Sequence, residues 1–141
     1  MKNRTFILAL LVAVSFLHTG CFLLSTSGSS TTSSAPKENY APQQIKNGAY
    51  VAFTHPDGAA IKIVFQTLST ADLAASSASN GRINAAYYRY DGFNMASLTY
   101  NYQPNGKTSG QYKAELNFTR ANGGTIRFLD TNTTASFTFR P

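Results

Sequence analysis

From Gly48 to the C-terminus, apolar and polar residues alternate in short runs separated by residues that favour turns. The clearest run is Gly110–Thr119, where Tyr112, Ala114, Leu116 and Phe118 alternate with Lys113, Glu115 and Asn117. A period of two sends successive side chains to opposite faces, so this run predicts a strand with one buried face. Ala60–Gln66 repeats it, with Ile61, Ile63 and Phe65 on one face and Lys62 and Gln66 on the other. Further strands are predicted over Gly48–Thr54, Arg82–Tyr90, Met95–Tyr102, Gly124–Asp130 and Thr134–Arg140. The breaks between them carry turn chemistry: His55-Pro56-Asp57-Gly58, Asp91-Gly92, Pro104-Asn105-Gly106 and Ala121-Asn122-Gly123. His55, just before Pro56, reads as an exposed turn residue. Ser69–Ser77 is ambiguous. A strand fits the meander, but Ser69 with Asp72 three residues on resembles a helix capping box, and alanines follow.

Eight such strands predict an all-β fold, an up-and-down antiparallel barrel, because closing a sheet removes its exposed edges. A two-sheet β-sandwich is the alternative. The bore of an eight-stranded barrel holds side chains or one small ligand. One consistent choice of face sends Ile61, Ile63, Phe65, Tyr88, Tyr90, Ala96, Leu98, Tyr100, Tyr102, Tyr112, Leu116, Phe118, Ile126, Phe128, Phe137 and Phe139 inward. Each buried ring brings about 150–250 Å² of area, so a filled core is favoured over a ligand cavity. The hydroxyls of Tyr88, Tyr90, Tyr100, Tyr102 and Tyr112 then need a rim position, a water or a hydrogen-bond partner. Converging on an open mouth, these five would be the candidate ligand-binding residues for a small apolar ligand.

Upstream the pattern changes. Met1-Lys2-Asn3-Arg4 is basic, and Phe6–Leu17 is apolar except for Ser15. That order predicts a signal peptide over residues 1–20. The run falls short of the roughly 20 apolar residues of a membrane span. Its end, Leu17-His18-Thr19-Gly20-Cys21, resembles a bacterial lipobox, with His18 departing from the pattern. The resemblance implies cleavage after Gly20 and acylation of Cys21 with diacylglyceryl and usually a further acyl chain, which would hold the protein to the lipid bilayer. Cys21 is the only cysteine, so no disulfide forms within the chain. Phe22 is not Asp, and the sorting pattern of such lipoproteins then implies the outer membrane. Residues 21–47 read as a tether: Ser25–Pro36 is low-complexity Ser, Thr and Gly, and Lys37–Asn47 is expected to stay irregular.

Charged residues make up 13% of the chain, and the net charge of +6 falls to +4 once Lys2 and Arg4 leave with the signal. The basic residues form no run, so nucleic-acid binding is not expected. Apart from His18, His55 is the only histidine, and no pair among Glu38, Asp57, Asp72, Asp91, Glu115 and Asp130 has the spacing of a metal site or an acid/base pair. Neither a cofactor nor an enzymatic activity is expected.

The run Tyr88-Arg89-Tyr90-Asp91-Gly92-Phe93-Asn94-Met95-Ala96-Ser97-Leu98, with Gly110, Tyr112, Leu116, Phe118, Thr119 and Gly124, resembles a small β-domain of bacterial secreted proteins and lipoproteins. Those domains are similar to MoaF-like and lipocalin-like barrels. The resemblance covers roughly residues 45–141; it implies a barrel over 48–141 and carries no catalytic residue across. The expectation is a non-catalytic, membrane-anchored envelope lipoprotein whose barrel serves a structural, adaptor or binding role, with an envelope protein as partner. The alternative is a lipocalin-like carrier of a small apolar ligand.

Overall fold

The computed structural model describes residues 37–66 and 70–141. The predicted signal peptide 1–20, Cys21, the predicted tether up to Pro36 and Ser69 of the predicted capping box lie outside those residues. The described chain forms eight strands: β1 (Tyr50–Thr54), β2 (Ala60–Val64), β3 (Ser77–Ala78), β4 (Gly81–Gly92), β5 (Met95–Pro104), β6 (Gly110–Arg120), β7 (Gly123–Phe128) and β8 (Thr133–Arg140). Each pairs antiparallel with the next, and β8 pairs back onto β1, so the sheet is a closed barrel and not a sandwich. The architecture is compatible with a lipocalin-like barrel.

The alternating residues do what their period predicts. Val51, Ile63, Phe65, Leu98, Tyr100, Tyr102, Leu116 and Ile126 are all 0% exposed. Side chains at zero exposure border no space that admits a water molecule, so the bore is packed through these layers. Tyr90 and Tyr112 are partly buried against the same core. Two further bore residues, Ile83 and Ala86, come from β4. Strict alternation would place these two on opposite faces. A bulge between Ile83 and Ala85 adds one residue and turns both inward.

Gly124 shows why β6 and β7 approach as they do. It pairs with Phe118, and a Cβ there would run into the backbone carbonyl oxygen of Asn117. Only glycine lets the strands close at that point.

Of the region Ser69–Ser77, the described residues Thr70–Ser77 form neither the predicted continuous strand nor a helix. Thr70 and Ala71 make single bridges to Tyr87 and Phe65, and only Ser77–Ala78 joins the sheet as β3. Between them Asp72 organises one tight turn. Its Oδ1 accepts the amides of Ala74 and Ala75 at 3.0 and 3.3 Å, and its carbonyl accepts the Ser76 amide at 2.9 Å. The cap is thus Asp72, and the chain turns back to pair with β2 before a second helical turn forms.

Residues 39–47 are irregular but not free. Ala41 and Ile45 are 4% and 1% exposed, and Tyr40 packs against the core. The Tyr40 amide donates to Asn94 Oδ1 (2.6 Å), and the Asn94 amide returns a bond to Asn39 Oδ1 (3.1 Å). This segment stoppers one mouth of the barrel.

Candidate functional site

The opposite mouth is closed by the β1–β2 turn. Val51 and Phe53 point inward, and the alternation carries on through the turn, so His55 also points into the bore and is only 6% exposed. The expectation of an exposed turn histidine is therefore corrected. The turn is fastened over the mouth by its own polar groups. The His55 amide donates to the Ala59 carbonyl, and the Gly58 amide to the His55 carbonyl, both at 2.8 Å. Asp57 Oδ1 accepts the Ala59 amide at 3.0 Å and lies 2.8 Å from His55 Nδ1.

The imidazole sits in a box of aromatic rings. Its centroid lies 4.8 Å from that of Tyr112, 5.1 Å from Tyr102, 5.8 Å from Phe128 and 6.1 Å from Tyr100, all steeply inclined to it. Tyr100 and Tyr112 face each other across the β5–β6 pair, stacked at 5.6 Å. Tyr102 Oη lies 2.9 Å from the Asn80 carbonyl and 3.2 Å from Asp57 Oδ2, so one hydroxyl hydrogen serves two acceptors.

The electrostatics follow from this packing. Burial works to raise the pKa of Asp57, but the Ala59 amide, His55 and the Tyr102 hydroxyl outweigh it and hold the carboxyl below its ordinary value. An ionised Asp57 places the imidazole hydrogen on Nδ1. Burial pushes the hydroxyls of Tyr100, Tyr102 and Tyr88 upward, and the Asp57 charge adds to the effect on Tyr102 and Tyr100. Two polar atoms at this mouth have no hydrogen-bond partner: His55 Nε2 and Tyr100 Oη.

A carboxylate that orients an imidazole is the arrangement of a general base. A base must also reach the proton it removes. Here Nε2 is sealed from solvent among tyrosine and phenylalanine rings, so the pair as built locks a turn. Among the described residues no three His, Cys, Asp or Glu side chains form a group suited to a metal ion.

The five candidate tyrosines do not form one site. Tyr100, Tyr102 and Tyr112 gather around His55. Tyr88 and Tyr90 lie at the stoppered mouth, where Tyr88 Oη donates to the Pro42 carbonyl at 2.8 Å and Tyr90 Oη accepts from Asn39 Nδ2 at 2.9 Å. Neither group lines an open mouth. Cys21 lies outside the described residues. No protein-family model, curated protein or solved structure matches the chain.

The outer wall offers more open ground. Its outward positions carry Thr, Ser, Asn, Lys and Arg in place of the apolar band that a membrane-spanning barrel presents to lipid. A groove of about 440 Å³ crosses β2, β1 and β8 between Lys62 and Arg120. A second, of about 470 Å³, runs beside the exposed Tyr87 and Leu129.

Proposed function

We propose that the chain is a non-catalytic lipoprotein of the bacterial cell envelope, acylated on Cys21 and facing its partners with the outside of a solid barrel, in a structural or adaptor role. The observation that carries the second half is the filled bore: both mouths are closed, and eight side chains between them, Leu98, Tyr100 and Leu116 among them, are fully buried. A carrier of a small apolar ligand needs room that this interior does not offer. The anchor and the outer-membrane location are supported by the order of basic, apolar and small residues before Cys21, and by Phe22 after it.

The test is metabolic labelling with an alkynyl palmitate analogue, followed by separation of the two membranes on a density gradient. Labelled wild type in the outer-membrane fractions and an unlabelled Cys21→Ser variant are expected. Equal labelling of both proteins removes the anchor, and recovery with the inner membrane alone removes the location.

A further inference from the structure

Among the strands, carboxylates occur only on β4 and β6. β1, β2, β7 and β8 contain no Asp or Glu. The carboxylates lie on β6, in β4, in turns and loops, and at Glu38 just before the stopper segment. Across these four strands and onto the end of β6, the register draws one row around the outer wall, with a shift just before Arg120. Lys62 pairs with Ala52, Ala52 with Thr138, Thr138 with Gly123, and Gly123 with Arg120 at the end of β6. A cation stands at each end, and three small residues lie between. Four strand steps of about 4.8 Å make a path of roughly 19 Å along the curved wall between them.

The small middle residues are what make the row a groove, and the groove wall adds the hydroxyls of Thr54, Ser77 and Ser136. Neither terminal cation is neutralised. Among the described residues the ion pairs are His55–Asp57, Arg89–Asp91 and Arg127–Glu115. Lys62 instead rests its Nζ 4.4 Å from the centroid of the Tyr50 ring, and Arg140 pairs with that same Tyr50 from β8.

We propose that this groove binds an extended anionic glycan, with the acid groups of the sugar chain on Lys62 and Arg120 and its hydroxyls on the threonines and serines between. A shallow, open groove running across strands gives a chain room to lie along it. Single-stranded nucleic acid needs aromatic platforms for its bases, and the aromatic beside this groove, Tyr50, is half-buried with Lys62 over its ring. The inference gives the adaptor reading a partner and rests on it only in placing recognition outside the bore.

The full chain in detergent micelles is titrated at low salt with a galacturonate hexamer, with maltohexaose as the uncharged control. The hexamer is expected to bind at least tenfold tighter than maltohexaose. The pair Lys62→Ala with Arg120→Ala should weaken it at least tenfold, and the pair Lys107→Ala with Lys113→Ala, the same change of charge elsewhere, by less than twofold. Thr138→Gln, which fills the groove floor without altering charge, should also weaken binding several-fold. Absence of hexamer binding overturns the proposal. So does an equal loss from both lysine-containing pairs, which marks general charge attraction. Displacement of the hexamer by phosphatidylglycerol vesicles or duplex DNA, with tighter binding of either, assigns the face to that partner instead. Each of these failures leaves Cys21 labelling untouched, so the anchor stands or falls separately.

Discussion

Removing the hydroxyl of Tyr100 should stabilise the protein. Tyr100 is 0% exposed, and its Oη has no partner in the folded chain. In the unfolded chain that hydroxyl is hydrated. Burying it unpaired costs roughly 1–3 kcal/mol. Tyr100→Phe removes this cost and keeps the ring, so the contacts with Phe53 at 5.5 Å and Tyr112 at 5.6 Å persist. The loss of one oxygen leaves a void much smaller than a deleted methylene would. The expected gain is therefore about 1 kcal/mol or more, equivalent to a rise in Tm of about 4–8 °C per kcal/mol for a domain of this size. Urea unfolding of the wild type and the variant measures it as an increase in midpoint at unchanged slope. The neighbouring Tyr102→Phe is the control in the opposite direction. It strips the Asn80 carbonyl and Asp57 of a donor, and should lose roughly 1–3 kcal/mol. If Tyr100→Phe instead loses 1 kcal/mol or more, the hydroxyl has a partner and the account of this mouth is wrong.

Leu116→Ala, at a fully buried position in the middle of β6, should cost about 2–5 kcal/mol in the same urea assay; a loss well under 1 kcal/mol, with uptake of a hydrophobic dye by the wild type, would show the bore to be loose. Gly124→Ala drives a Cβ into the Asn117 carbonyl, so a fall in midpoint larger than that of Thr125→Ala, an exposed neighbour on β7, is expected. Ile45→Asp should unseat the stopper, exposing the aromatic end of the bore to a fluorescent apolar dye while the far-ultraviolet spectrum of the sheet is retained. Because the folded-state pKa of Asp57 is depressed, its contribution is present above the unfolded value of about 4 and is lost as pH falls through the lower folded value. Asp57→Asn should therefore flatten the stability profile below about pH 4, read from urea midpoints across that range.

The barrel was legible because its strands alternate. Tyr112, Leu116 and Phe118 fix one face of β6, and turn residues mark most strand ends. What was not legible depends on partners distant in sequence. Nothing local says that Ala41 and Ile45 are buried; the mouth they fill is made by residues from other strands. The bulge at Asn84 is invisible for the same reason, since a register is a property of two strands. Ser69–Ser77 misleads because Asp72 competes for the backbone with its own carboxylate. His55 is the instructive miss. Val51, Phe53 and His55 share a parity, and following that parity one residue into the turn would have placed the imidazole inside. The five tyrosines were rightly sent inward, but the sequence does not say that β4 delivers Tyr88 and Tyr90 to one mouth while Tyr100, Tyr102 and Tyr112 gather at the other.

The seam between β1 and β8 sets when this molecule is able to fold. Tyr50 opens β1, and its partner Arg140 lies 90 residues later in β8. Contacts between opposite ends of a sequence form late, because loop-closure entropy opposes them until both ends are present. A nascent chain lacking its final strand has no closed sheet and no sealed core, however much of the remainder has been synthesised. In the exported reading proposed above, that delay keeps the polypeptide threadable through a translocation channel until β8 has been made, and the barrel closes only after the cytoplasm has been left behind.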